Sequence, residues 1–353
     1  MNAERVAGAE FVFRFLVGAA AVVVILAGMR ASTGVLVPFL LALFITVLAT
    51  PPFFWLKRQG IHSILALLVM VIVIASVFSL GGALINNSIR DFLRKMPDYQ
   101  AKFSVQVQNT IIWLNEHGME VSQSAVSEQL NPAALFQYTG TLLSAASGVL
   151  GQTAIVLLVV IFMLFEAAIL PRKIRSLSGI HPQTYEQLER AVLNVRSYMG
   201  IKTLMSLLTG FLVFVLLMVM GIDYAILLGV TAFLLNFIPN IGSFMAAVPG
   251  VALALLDHGT GAFVVTTIGY TAINVGVSNF VEPRFLGRGL GLSTLVVILS
   301  LIFWGWILGP VGMLLSVPLT MVLKIALESV ETTRWIGVLM GGVPEAASTD
   351  KPG

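Results

Sequence analysis

The sequence predicts an all-α polytopic membrane protein with about eight membrane segments, including two hairpins broken by proline and glycine, plus an extramembrane amphipathic helical insert. Three observations carry this reading. Of 353 residues, 58% are hydrophobic and 10% charged, with a mean hydropathy of +0.96; a soluble fold of this size needs a far more charged surface. Several apolar runs reach about 20 residues, the length that crosses roughly 30 Å of hydrocarbon, and they lack the alternation of an outer-membrane barrel. Two of these runs carry proline and glycine in their middle, at Leu234 to Ser243 and at Gly309 to Gly312.

Residues 1–85 read as three transmembrane helices, from about Phe15 to Met29, Val35 to Leu56 with a kink near Pro51-Pro52, and Ile64 to Ile85. The first is read as an uncleaved span, because Arg30 and another apolar run follow it without a small-residue cleavage site. Arg5 and Arg14 before it, and Lys57 and Arg58 after the second, place the N-terminus in the cytoplasm by the positive-inside rule. Residues 86–148 turn polar with mixed charge. The spacing of Phe103, Val107, Ile111 and Leu114 predicts amphipathic helices on the external side, either a cap or oligomer contact or a solvated connector.

Residues 149–220 hold the fourth and fifth spans around the densest basic stretch, Arg172, Lys173, Arg175, Arg190, Arg196 and Lys202, which marks a cytoplasmic loop. Within it, Gln183 to Met199 reads as an amphipathic helix at the inner surface. The first broken hairpin occupies 221–260. Its arms are about 15 residues, or roughly 22 Å, short for a full crossing. Residues 261–290 form a span ending at Asn279 and Glu282-Pro283, residues 291–326 the second broken hairpin, and 327–353 a cytoplasmic tail, polar and partly disordered from Pro344. Pro239, Gly242 and Pro249 shape the first hairpin; Gly309, Pro310, Gly312 and Pro318 repeat that grammar in the second. The two enter from opposite faces, an inverted pair suited to alternating access.

A break at membrane depth frees backbone groups that lipid cannot satisfy, so it survives only inside protein or beside a water-filled cavity. A plain turn at the membrane surface is the competing reading, and the short arms and the second hairpin favour the buried break. Asn236, Asn240 and Ser243 at the first tip donate and accept hydrogen bonds without charge, which suits a neutral hydroxylated solute or a dehydrated cation; interhelical glue is the plainer role. Asn274 is placed to face them. Asn279 and Glu282, three residues apart, fall on one helical face, with Pro283 breaking the backbone beside them. A partly desolvated carboxylate there can couple proton uptake to substrate movement; the plainer role is a helix-end acid paired with Arg284 or Arg288. Glu166 reads as structural. Gly305 to Gly309, with Trp304 and Trp306, reads as helix packing.

Much chemistry is absent from the sequence. There is no cysteine, and the four histidines, His62, His117, His181 and His258, are scattered without a second ligand at helical spacing, so no metal or cofactor is expected. No phosphate loop, dinucleotide motif, zinc-protease helix or nucleophile elbow occurs, and the chain is not read as an enzyme. A net charge of +3 in a membrane protein reflects cytoplasmic loops rather than nucleic-acid binding.

The tip Ile238-Pro239-Asn240-Ile241-Gly242, then Asn279 to Arg284, Gly291-Leu292-Ser293, Phe303 to Trp306, Gly309 to Met313 and Val317 to Thr320 resemble the autoinducer-2 exporter family, also called PerM-like permeases. The likeness runs over essentially the whole chain and is most specific in the last third; Thr294 departs from it, where the family often has proline. It implies a bacterial inner-membrane protein that forms homo-oligomers. Some members are proposed to export the quorum-sensing signal autoinducer-2, others to exchange sodium or lithium for protons. The expectation is therefore an ion-coupled exporter of a small polar solute, partnered by a monovalent cation or proton and by membrane lipid. A sodium (lithium)/proton antiporter is the first alternative, and a channel or non-transporting scaffold the second.

Overall fold

A computed structural model describes residues 2–117, 137, 140–141, 153–175, 182–239, 241–286 and 291–342. All regular structure among the described residues is helical. Five helices are long and apolar enough to cross a membrane, and 16–31, 154–167 and 225–235 are shorter apolar helices. Residues 118–136, 138–139 and 142–148 of the insert, Asn240, Arg288 and the tail from 343 lie outside the described residues.

Helices α1 (Asn2–Ala31) and α2 (Thr33–Arg58) follow one another with only Ser32 between them. Helix α2 continues through Pro51 and Pro52, and Gly60 turns the chain at φ 86° into α3 (Ser63–Glu116). The boundary expected at residue 85 is absent: α3 runs unbroken for 54 residues, through Pro97. The reason is a continuous apolar stripe. Ile85, Ile89, Phe92, Tyr99 and Phe103 are all buried, with partly buried Met96 filling the row at three- and four-residue steps, so one face stays covered where the other becomes polar.

Helix α4 (Thr153–Arg175) packs on α2 and α3 through Val156, Val160 and Leu164. Near its end Lys173 meets Glu166 at 2.7 Å, both exposed, in keeping with a structural acid. Helix α5 (Pro182–Val219) joins the expected surface helix and the fifth span into a single element. After a turn with Gly221 at φ 69° and Tyr224 at φ 61°, α6 (Ala225–Leu235) descends to the first tip. Helices α5 and α6 cross closely, because a Cβ on Gly210 would lie 2.7 Å from the Gly229 carbonyl oxygen.

Helix α7 (Ile241–Val275) reverses at Gly259, φ 78°, giving limbs 241–258 and 260–275. A π-helical stretch, Gly276–Val281, leads into α8 (Glu282–Leu286). Helix α9 (Thr294–Glu328) reverses at Gly309, φ 68°. A Cβ on Gly305 would stand 2.7 Å from Met313 Cγ, and Trp304 Nε1 donates to Thr320 Oγ1 at 3.0 Å, contacts that only a hairpin permits. Helix α10 (Arg334–Leu339) folds the start of the tail back, with Ser293 N–H donating to the Met340 carbonyl at 2.9 Å.

Candidate functional site

Helix α6 ends in turns that close on themselves. Ile238 N–H donates to the Leu235 carbonyl at 2.9 Å and Gly242 N–H to that of Ile238 at 3.2 Å, so the break satisfies part of its own backbone. Gly242 is required here, because a Cβ would overlap the Leu235 carbonyl oxygen. Phe237 is 4% exposed and packs edge-on against Phe44 of α2 and Phe233 of α6, both at 5.5 Å. Phe44 lies eleven residues inside α2, about 16 Å from its start. Asn236, Phe237, Ile238 and Gly242 of this tip are thus covered by protein, whereas Ile241 and Phe244 just beyond the break are exposed.

Asn236, 3% exposed, donates from Nδ2 to Ser206 Oγ at 3.1 Å and accepts at Oδ1 from Ser243 Oγ at 3.2 Å. The structure thus joins Asn236 and Ser243 and adds Ser206 of α5, which is fully buried. An amide and two hydroxyls at one point can exchange these bonds for those of a polar guest.

Glu282 does not pair with Arg284. Lys202 of α5 donates to both carboxylate oxygens, at 2.9 and 3.2 Å, with the two side chains 8% and 13% exposed. Buried Tyr198, one turn before Lys202, lies within electrostatic reach of the same carboxylate. The expected shared face of Asn279 and Glu282 is corrected. The π-helical turn pairs i with i+5, rotates Asn279 outward, and leaves it exposed while Glu282 points inward. Asn274 is half-buried and, among the described residues, hydrogen-bonds neither Asn236 nor Ser243.

The two sites meet on α5. Lys202 and Ser206 are four residues apart, one above the other on a single face, and buried Thr209 continues the row. Both Lys202 and Ser206 escaped sequence reading, the first because it closed a basic cytoplasmic stretch. The polar spacing 202, 206, 209 inside an apolar run was the available signal.

The second hairpin is built alike but stands elsewhere. Gly312 abuts the Trp304 carbonyl as Gly242 abuts that of Leu235, and Pro318 and Pro249 are buried in the returning limbs. Its tip differs: Pro310 is exposed, and the Arg30 guanidinium sits 4.9 Å from the Trp306 ring. The limbs of α9 reach the first site only indirectly, through Val297, Val317 and Met321 packed on Tyr198 and Met199.

A third polar cluster binds the outer part of α3 to the turns of the first hairpin. Tyr224 donates to Asp91 at 2.8 Å, Tyr99 to Asp223 at 3.1 Å, and Lys102 to Asp257 at 3.1 Å. Lys95 stands 3.5 Å from Asp91 and 3.7 Å from Asp223. The Tyr224 bond holds the Asp91 carboxyl below the usual range, while burial and that bond push the Tyr224 phenol up to about 12. No group of three or more metal-ligating side chains occurs among the described residues.

Residues 20–332 match the family described as AI-2E family transporter. A "putative transport protein" of Haemophilus influenzae is 41% identical over 338 residues, 94% of this chain and 97% of its own. The "AI-2 transport protein TqsA" of Escherichia coli is 38% identical over 318 residues, covering 90% and 92%. The "putative transport protein YhhT" of Escherichia coli is 35% identical over 326 residues, covering 91% and 92%.

Proposed function

The chain belongs to the AI-2E family of transporters, and on that premise we propose that it exports a small polar solute, such as autoinducer-2, across the bacterial inner membrane by ion-coupled alternating access. The likeness to a relative described as an AI-2 transport protein supports the cargo. The observation that carries the mechanism is the row on α5, where a buried ion pair at Lys202 adjoins the neutral cluster at Ser206. The tip binds: Asn236, Ser206 and Ser243 trade their mutual bonds for those of the solute. Glu282 couples: proton uptake neutralises the carboxylate, frees Lys202 and loosens α5 from the end of the π-helical stretch Gly276–Val281, whose irregular register is suited to slide. The two hairpins act as an inverted pair within about eight membrane segments, both termini are cytoplasmic, and the protein works as a homo-oligomer.

The test is efflux of autoinducer-2 from proteoliposomes across a pH series, wild type beside Glu282→Gln. The expected result is a flux that varies with pH in the wild type and is flat in the variant; an unchanged pH profile removes Glu282 from the mechanism. The buried ion pair also favours a second reading, sodium (lithium)/proton antiport, in which a metal cation displaces Lys202 from Glu282. Sodium-driven proton release without solute would select it.

A further inference from the structure

The three buried side-chain oxygens without a protein partner among the described residues, Asp257 Oδ2, Thr266 Oγ1 and Tyr270 Oη, all lie on α7. Two of them share a face. Thr266 and Tyr270 are four residues apart on limb 260–275, 0% and 2% exposed. Their neighbours behave differently: Thr267 donates to the Phe263 carbonyl at 2.7 Å and Thr271 to that of Thr267 at 2.8 Å. The Thr266 hydroxyl makes no such bond to its own helix.

Tyr270 Oη is turned against Gly250 of the opposite limb, where a Cβ would stand only 2.5 Å away. Glycine makes the room at that point. Beside it, buried Pro249 has no amide hydrogen, so the Met245 carbonyl loses its helical donor. A hydroxyl buried without a partner is costly, and two on one face in a membrane interior are costlier.

We propose that Thr266 Oγ1 and Tyr270 Oη form a second, occluded binding site between the limbs of α7, which takes the hydroxyl group of a small neutral molecule. Each protein hydroxyl donates and accepts, so the matching guest group does both, as water and polyol-like solutes do. The guest is neutral because the nearest carboxylates on the chain already hold cations, Asp257 with Lys102 and Glu282 with Lys202. Gly250 lies seven residues beyond Ser243 on the same limb, about 10 Å further along. The site would therefore receive a solute after the tip releases it. That assignment rests on the transport reading; the existence of the site does not.

The test uses the full chain in lipid nanodiscs with Tyr270→Phe, Thr266→Val and the double variant, which remove hydroxyls at nearly constant volume. If the hydroxyls hold a guest, a high-resolution map of the wild type shows density within hydrogen-bond distance of both oxygens. The double variant then loses that density and melts below the wild type. If they are simply unpaired, the map is blank there and the double variant melts above the wild type, since its burial cost is gone; either finding overturns the site. Gly250→Ala adds a third readout, because its methyl displaces Oη: lost density supports the site and retained density overturns it. Autoinducer-2 efflux separates the two sources of guest. A several-fold loss in the double variant assigns it to the solute, and full efflux with lost density assigns it to water. Wild-type efflux in Asn236→Ala would defeat the transport role of the tip while leaving the melting result intact.

Discussion

Lys202 is the residue on which the candidate site depends. Its ammonium spans both Glu282 oxygens in a setting with little water, so each charge is tolerable only while the other is present. Lys202→Met is therefore expected to destabilise the protein by about 3–5 kcal/mol, as removal of one partner of a buried pair does. Lys202→Met with Glu282→Gln should recover most of that loss, because no bare charge remains. Thermal unfolding of the three variants in detergent checks this, and a double variant as unstable as the sum of the singles refutes it. Glu282 was legible in the sequence as an acid at a proline-broken helix end. Its partner was not, because eighty residues separate the pair and sequence spacing reports only neighbours within one helix. The exposed face of Asn279 was hidden for a related reason: the three-residue rule assumes an α-helix, and the π-helical turn breaks it.

At the scale of elements, the outer half of α3 acts as a clasp on the first hairpin. Phe92, Tyr99 and Phe103 share one apolar cluster with Ile222 and Leu227, and Tyr99, Lys102 and Asp91 bond to the turns at Asp223-Tyr224 and Asp257. This cluster lies beyond the expected span 64–85, so water and pH reach it. The sign of its pH dependence follows from its four shifted groups, Asp91 lowered and Lys95, Tyr99 and Tyr224 raised. Asp91 has a lowered carboxyl pKa when folded, so its contribution is present above about 4 and disappears as pH falls through the folded value. Tyr224 has a raised phenol, so its contribution is complete below about 10 and disappears as pH rises through about 12. Hydrogen exchange over 92–103 is expected to stay slow from about pH 5 to pH 10 and to quicken on either side, given correction for intrinsic exchange. In Tyr224→Phe the acid limb should shrink to the part that Lys95 and Arg94 sustain, and an unchanged acid limb would remove the Tyr224 bond from the clasp. The sequence announced an amphipathic segment here but not what it covers, since a hydrophobic stripe specifies a face and not its partner.

For the whole molecule, both broken runs were legible because proline and glycine in a long apolar stretch have few other uses in a membrane. Their depths were not legible, because depth is set by neighbours. The first tip is held by Phe44, well inside α2, whereas the second carries Trp306 to Arg30, at the end of α1. If the N-terminus is cytoplasmic, as the positive-inside rule expects, Arg30 is external and the two similar hairpins stand unequally, one re-entering and the other reaching the outer face. A carrier can use that asymmetry, since a short hairpin inside the bundle can expose its tip by small movements while the longer one stays fixed to α1. The chain has no native cysteine, which makes the arrangement directly testable. A membrane-impermeant maleimide added outside intact cells should label Pro310→Cys readily and leave Ser243→Cys protected. Disruption of the clasp by Lys102→Ala and Tyr99→Phe should raise labelling at Ser243→Cys without changing it at Pro310→Cys, because Tyr99 and Lys102 bond to the turns of the first hairpin, at Asp223 and Asp257. Equal labelling of the two tips in the intact protein would show that both reach the surface and would refute the re-entrant placement.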